Sequence, residues 1–124
     1  MTLHRQLPGA RLAEAVVCNG IAWLAGQVPE NLDADAQAQT ANVLAQIDTV
    51  LRDLGSDKSQ VIDATIFLAD LADYNAMNAA WDAWVIPGQT PARATVQDRF
   101  DLKRQCLPRM VGFVEAAGGG VRAR

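Results

Sequence analysis

A single arginine lies inside a short apolar stretch near residue 90, and its neighbours do not neutralise its charge. The segment PARATV, residues 91–96, contains no acidic residue, and none lies within three positions of Arg93. Because side chains alternate along a strand, Arg93 and Thr95 are expected to project from the same face. A planar guanidinium matches the two oxygens of a carboxylate. Arg93 is therefore either a solvated residue at a sheet edge or the binding group for an anion that the chain does not itself supply.

The other reactive side chains form no catalytic motif. The sequence has no HExxH, GxSxG, GxGxxG or phosphate-loop pattern, and His4 is its only histidine. Cys18 and Cys106 do not form a CxxC pair, which favours free, buried thiols in a reducing cytoplasm. With one histidine and no cysteine cluster, a metal site is not expected. We expect no cofactor either.

Composition and charge limit the classes of partner. The 124 residues are 50% hydrophobic and carry a formal net charge of −3, which is ordinary for one globular domain. Phosphate binding needs clustered lysine and arginine, so nucleic acid is not an expected partner. The sequence shows no signal peptide and no apolar run near the roughly 18 residues of a spanning helix. We therefore expect a cytoplasmic protein without a membrane partner.

Three strands are predicted in the sequence that precedes Arg93. Two apolar runs, 12–18 and 21–27, flank Asn19-Gly20, which is the strongest short signal for a hairpin with a type I′ turn. The segment 61–68 is β-branched and aromatic and predicts a strand with two different faces. Its even positions are apolar (Ile62, Ala64, Ile66, Leu68), and its odd positions are mixed (Val61, Asp63, Thr65, Phe67).

Two amphipathic helices are predicted between these strands and Arg93. The first begins after Asp33 or Asp35, either of which can be its N-cap, and Gly55 ends it in the left-handed region. The second covers about 71–85 and stops before Pro87-Gly88. The apolar stripes are Val43, Leu44, Ile47, Val50, Leu51 and Leu54 in the first helix, and Tyr74, Met77, Trp81, Trp84 and Val85 in the second.

The last third of the chain predicts two further strands and a tail. A strand covers about 92–97, and the apolar run 106–117 is a strand that Pro108 restricts to an edge or a bulge. Residues 1–117 are expected to form a single domain, and 118–124 a flexible tail. The order β-β-α-β-α-β-β favours an α+β fold with a mixed sheet and both helices on one face. The opposite face, with Val61 and Phe67, would then need another copy to cover it.

Four segments, in this order and spacing, resemble the RidA/YjgF family of reactive-intermediate deaminases. The residues around the first and third segments are most similar to the YoaB-like branch of that family. The four segments are GQVPEN (26–31), QTANVLAQIDTVLRDLGSDKSQVIDATIFLAD (39–70), YNAMNAAWDAW (74–84) and PARATVQ (91–97). The resemblance implies a chorismate-mutase-like fold, a homotrimer, and three ligand sites in the clefts between subunits. It also implies hydrolysis of enamines or imines, the products of threonine and serine dehydratases, to 2-oxo acids and ammonia.

The resemblance assigns a role in ligand binding to four residues. Arg93 matches the strand arginine that grips the substrate carboxylate, and Thr95 matches the small residue two positions later. Asn78 matches an asparagine of the cleft, although its position alone would indicate an exposed amide. Gly26 matches a backbone N–H donor. The ligand implied is a small carboxylate or an imino acid.

The sequence departs from the family at positions that matter for catalysis. Leu12 stands where the family has a tyrosine, and Ala25 where serine is frequent. From Asp98 the pattern of the family is lost. The glutamate that positions the attacking water aligns, depending on the gap after residue 97, with Pro108, Arg109 or Val111. Glu115 lies nearby but several residues out of register, so the catalytic residues are not identified.

The sequence is therefore compatible with two functions, one enzymatic and one of binding alone. One is an enamine or imine deaminase acting on 2-imino acids such as 2-iminobutanoate, weak if the glutamate is missing. The other is a trimer that binds small carboxylates or 2-oxo acids without turning them over. A ribonuclease conflicts with the acidic balance of the chain.

Overall fold

A mixed six-stranded sheet carries two helices on one of its faces. The structure, a computed structural model, describes residues 2–97 and 112–121. The sheet order is β1-β2-β3-β6-β4-β5, in which β4 and β5 run parallel and the other neighbours antiparallel. The elements are β1 (His4–Gln6), β2 (Ala15–Cys18), β3 (Ile21–Leu24), α1 (Ala36–Asp53), β4 (Val61–Leu68), α2 (Tyr74–Trp84), β5 (Ala92–Gln97) and β6 (Gly112–Gly118). The α+β class with a mixed sheet is confirmed.

The predicted turn of the hairpin and both predicted ends of α1 are confirmed. Asn19 and Gly20 adopt positive φ angles of 52° and 76°, as a type I′ turn between β2 and β3 requires. Of the two candidate caps, Asp35 is the one used, and its carboxylate accepts from the backbone N–H of Ala38. Gly55, at φ 78°, ends α1 in a Schellman motif, in which the N–H of Ser56 donates to the carbonyl of Leu51.

The buried core lies between the helices and one face of the sheet. Every residue of the predicted α1 stripe is buried. In α2 the buried residues are Met77, Ala80, Trp81 and Trp84, whereas Tyr74, predicted for the same stripe, is exposed. The helices are joined by a polar contact as well, because the indole N–H of Trp84 donates to the carboxylate of Asp48 at 3.0 Å. Asp48, which lies outside the apolar stripe of α1, therefore helps to fix α2.

A β-bulge at the start of β4 changes which residues face the helices. Val61 pairs with Gly118 and Asp63 with Ala117, so Ile62 is an extra residue on β4. The side-chain alternation shifts there: Val61 is 5% exposed and Ile62 is 51% exposed. The prediction that Ile62 faces the core and Val61 the opposite face is therefore wrong for these two residues. Beyond the bulge Ala64, Ile66 and Leu68 are buried, as predicted.

The chain ends differ from the prediction. An additional strand, β1, pairs with β2 at the sheet edge. Residues 112–118 form a central strand between β3 and β4, whereas Pro108 and Cys106 lie outside the described residues. The first part of the predicted tail is held to the domain: Gly118 belongs to β6, Gly119 accepts a hydrogen bond from Ser56, and Val121 is buried.

The face opposite the helices, which we call the open face, carries large apolar side chains. Trp23, Ile62 and Val96 are exposed there, and the ladder places Ala92 and Ala94 beside them. A shallow hollow of about 160 Å³ between β3, β6 and β4 is lined by Trp23, Leu24, Asp63, Thr65, Ala116 and Ala117. In the described part of the chain, neither helix has the length and apolar character of a bilayer-spanning segment.

Candidate functional site

Helix α2 presents one continuous stripe of side chains towards β5. Tyr74, Met77, Asn78 and Trp81 are spaced i, i+3, i+4 and i+7, so they lie on one side of the helix. Trp81 stacks at a tilt on Trp84, with ring centroids 5.4 Å apart. Because Trp84 is in turn bonded to Asp48 of α1, the stripe is supported from behind.

Arg93 extends from β5 onto this stripe. It pairs with Ala64 in the parallel ladder, and Ala64 is buried on the helix side, so Arg93 projects towards α2. Its Nη1 donates to the side-chain oxygen of Asn78 at 2.7 Å, and its Nη2 to the hydroxyl of Tyr74 at 3.2 Å. The guanidinium also lies over the rings of Trp81, at 5.1 Å, and Tyr74, at 5.9 Å. We call Arg93, Tyr74, Asn78 and Trp81 the α2–β5 clamp.

The clamp leaves the charge of Arg93 uncompensated. The oxygen acceptors of the guanidinium are an amide and a hydroxyl, both neutral, and no described carboxylate forms an ion pair with it. A guanidinium has five N–H donors: two donate to these oxygens, Nη1 also contacts the sulfur of Met77 at 3.9 Å, and the others have no acceptor among the described residues. The half-buried arginine therefore retains both net charge and hydrogen-bonding capacity for an anion.

Thr95 adds a second unmet polar group on the same side of β5. It lies opposite Ile66, which is buried beneath the helices. Its hydroxyl oxygen is itself buried and has no hydrogen-bond partner among residues 2–97 and 112–121. A buried hydroxyl without a partner is costly, so a group outside the described residues, such as a ligand, is the expected source of one.

Gly26 is not brought to the clamp within one chain. It follows β3, and β6 and β4 lie between β3 and β5. Three strand spacings amount to about 14 Å, beyond the reach of one small ligand contacting both. Gly26 can share a site with Arg93 only if the two belong to different copies.

The pairing of β6 with β4 shows where one candidate for the water-positioning glutamate of the family lies. The strand that follows the segment 98–111 begins at Gly112, and the backbone of Glu115 lies opposite Thr65 in the β4–β6 ladder. Glu115 is the acidic residue of the sequence GFVEAAG. The registers considered from the sequence, at 108, 109 and 111, fall outside the described residues.

Sequence reasoning missed two members of the clamp. Tyr74 and Trp81 were assigned to an apolar stripe, and periodicity does not distinguish a stripe that faces the core from one that faces a cation. The signal available was the pair of aromatic residues flanking Asn78 at i−4 and i+3.

Leu12, which stands where the family has a tyrosine, is exposed. Within the described residues, no group of three or more potential metal ligands occurs.

Comparison with known proteins identifies the relatives of this chain. The family model described as Endoribonuclease L-PSP matches residues 2–100. The chain is 58% identical over 97 residues to RutC family protein YoaB of Escherichia coli K12, covering 78% of this chain and 84% of that protein. It is 34% identical over 91 residues to Reactive Intermediate Deaminase A, chloroplastic, of Arabidopsis thaliana, covering 68% of this chain and 48% of that protein.

A solved structure extends the likeness along the whole chain. A member of the YjgF protein family from Neisseria meningitidis superimposes with a TM-score of 0.88 at 45% identity, covering 99% of this chain and 98% of that one. The family model ends at residue 100, close to Asp98, where the sequence leaves the family pattern. The resemblance predicted from four short segments is confirmed, and the chain belongs to the Endoribonuclease L-PSP family, which includes the YjgF and RidA proteins.

Proposed function

We propose that the protein binds small 2-oxo and 2-imino acids through Arg93 and hydrolyses the imino acids, such as 2-iminobutanoate, to 2-oxo acids and ammonia. The observation that carries the proposal is the half-buried guanidinium of Arg93, held by neutral acceptors. A ligand carboxylate would supply the counter-charge and accept parallel N–H bonds from the fork. The name of the Arabidopsis relative, Reactive Intermediate Deaminase A, supports deamination of a reactive intermediate as the reaction.

The reaction needs little from the protein beyond position and charge. Water adds to the imine carbon, the nitrogen gains protons, the carbon–nitrogen bond breaks, and ammonia leaves a 2-oxo acid. The carboxylate next to that carbon repels an incoming oxygen nucleophile, and Arg93 would offset this repulsion. Holding the substrate and a water in one geometry supplies the rest.

The group that positions the water is proposed to be Glu115. It belongs to the last strand, as the glutamate of related deaminases does, and its place in β6 follows from the ladder with β4. Within one chain β4 separates β6 from β5, a distance of about 10 Å. We propose that Glu115, like Gly26, acts on a ligand held by Arg93 of another copy, in a homotrimer with its sites between subunits.

Two other functions compete with this proposal. The clamp itself contains no carboxylate, histidine or cysteine, which favours a protein that binds small carboxylates without turning them over. The family model is described as an endoribonuclease. The net charge of −3 does not favour RNA, because affinity for a phosphate backbone comes from clustered lysine and arginine.

The test follows the decay of 2-iminobutanoate, generated by a threonine dehydratase, and the binding of 2-oxobutanoate by calorimetry. Arg93→Ala should weaken binding by roughly 10- to 150-fold, the effect of a charge-assisted hydrogen bond. Arg93→Lys should restore only part, because an ammonium lacks the planar fork. Arg52→Ala, which removes an exposed guanidinium of α1, is the matched control and should bind like the wild type.

Glu115→Gln separates catalysis from binding in the same assay. It should slow imine decay by roughly 10²- to 10⁴-fold if Glu115 assists proton transfer, while 2-oxobutanoate still binds. Glu30→Gln, an exposed site, is its control. Unchanged binding by Arg93→Ala would remove Arg93 from the site. Binding without any acceleration of imine decay by the wild type would favour the non-catalytic function.

A further inference from the structure

Tyr74 is an exposed member of the clamp and still has a polar group available. It is the first residue of α2 and is 40% exposed, so solvent and small ligands reach its side chain. Its oxygen accepts a hydrogen bond from Nη2 of Arg93 at 3.2 Å. A residue that only filled the core would be buried, as Met77 and Trp81 are on the same stripe.

The hydroxyl hydrogen of Tyr74 has no acceptor in the described part of the chain. A phenol accepts through its oxygen and donates through its single O–H. The bond from Arg93 occupies the oxygen as an acceptor and leaves the hydrogen unused. The hydroxyl therefore has one donor to offer, next to a cation that still has N–H groups without an oxygen acceptor.

The position of that donor beside the guanidinium selects the ligand group it would meet. A carboxylate that accepts from the remaining N–H groups of Arg93 brings an oxygen next to the atom that already contacts Tyr74. We infer that Tyr74 is a specificity-determining residue, which donates a hydrogen bond to the ligand carboxylate gripped by Arg93. The inference rests on the proposed function, since it needs a carboxylate ligand at Arg93.

The ring and the hydroxyl of Tyr74 would then have separate tasks. The ring lies 5.9 Å from the guanidinium carbon and, with Trp81 at 5.1 Å, surrounds the cation with aromatic surface. The hydroxyl adds a neutral donor that favours a charged oxygen over an amide nitrogen. Tyr74→Phe removes the second task and keeps the first.

The experiment compares 2-oxobutanoate with its neutral analogue 2-oxobutanamide by calorimetry on the full chain. Tyr74→Phe should raise the Kd for the oxo acid roughly tenfold, the lower end for a hydrogen bond to a charged group, because Tyr74 is partly exposed. The Kd for the amide should change less than twofold. Asn75→Ala, the exposed next residue of α2, is the control, and the melting temperatures of both variants should match the wild type.

The outcomes separate this inference from the proposed function. A wild-type Kd for 2-oxobutanoate in Tyr74→Phe, with Arg93→Ala still defective, overturns the inference alone. Equal losses for the oxo acid and the amide also overturn it, because the hydroxyl would then act only by positioning Arg93. Wild-type binding by Arg93→Ala would instead overturn the proposed function.

Discussion

Arg93 is kept in place by contacts that do not neutralise it. Asn78 fixes one nitrogen, Tyr74 another, and two aromatic faces surround the guanidinium plane. Cation–π contacts contribute about 0.5–2 kcal/mol each, depending on desolvation, and so offset part of the cost of taking the charge out of water. An acidic partner in place of Asn78 would hold the arginine more strongly, but it would also occupy the charge that the ligand needs. The neutral clamp is consistent with a binding site rather than a structural ion pair.

Thr95 provides a test in which stability and binding should change in opposite directions. Its buried hydroxyl has no partner in the described part of the chain, so Thr95→Val removes an unsatisfied group. The free energy of unfolding should stay the same or rise by up to about 1–2 kcal/mol. If the ligand uses the hydroxyl, affinity for 2-oxobutanoate should fall in the same variant.

Urea denaturation and calorimetry measure the two effects of Thr95→Val. Thr90→Val, an exposed residue of the loop before β5, is the matched control and should change neither. A loss of stability greater than about 1 kcal/mol would show that the hydroxyl already has a partner, because the loss of a made hydrogen bond costs that much.

Among the helices, strands and turns, the features that depend on a few adjacent residues were predicted correctly from the sequence. The Asn19-Gly20 turn, the Asp35 cap and the end of α1 at Gly55 each depend on a few adjacent residues. Strand β5 and the helix-facing positions of β4 beyond the bulge also followed from periodicity. Arg93, Asn78 and Thr95 were selected as site residues, and they lie on β5 and the α2 stripe that faces it.

What was missed depends on contacts between distant elements. β1 has three residues, His4, Arg5 and Gln6, which are polar and too few to show a period. The bulge could not be seen because Val61 and Ile62 are both apolar, so either register satisfies the pattern. The separation of Gly26 from Arg93 is set by sheet order, and strand order is not written in the sequence of any one strand.

The bulge in β4 leads to a test with two neighbouring residues. Val61 is buried in the chain, so Val61→Ala should lower the free energy of unfolding by about 1–3 kcal/mol at any protein concentration. Ile62 is on the open face, so Ile62→Ala should cost little in a monomer. If another copy covers that face, its cost should grow with protein concentration. Thermal melts at several concentrations distinguish these cases, and a larger, concentration-independent loss for Ile62→Ala would contradict the bulge.

At the scale of the whole molecule, the open face indicates assembly. Trp23, Ile62 and Val96 come from three different strands and expose apolar surface together. Exposed apolar side chains gathered on one face of a sheet often mark a contact with another protein chain. We propose that a ring of copies covers it and brings Gly26 and Glu115 of one copy towards Arg93 of the next.

Light scattering at micromolar concentration should therefore give about three times the chain mass of 13.3 kDa. Trp23→Glu should lower that mass, because a carboxylate placed in an apolar interface is costly to desolvate. Leu7→Glu is the control, since Leu7 is an exposed apolar residue of the loop after β1 and not part of the strands. A monomeric wild type would exclude the assembly, and a Trp23→Glu variant that keeps the full mass would exclude the open face around Trp23 as its interface.

Mixed assemblies test whether the site is shared between copies. Arg93→Ala and Glu115→Gln chains, each defective in imine decay, would be unfolded in urea, mixed in equal amounts and refolded together. A site built from Arg93 of one copy and Glu115 of its neighbour is intact when each residue comes from the chain that retains it. Random mixing then restores about a quarter of the wild-type rate, since each of the two choices is correct half the time in a ring. Mixing Arg93→Ala with a chain carrying both substitutions is the control and should restore nothing, because no copy then supplies Arg93. If the first mixture also stays at the level of its parents, Arg93 and Glu115 do not meet across a subunit boundary.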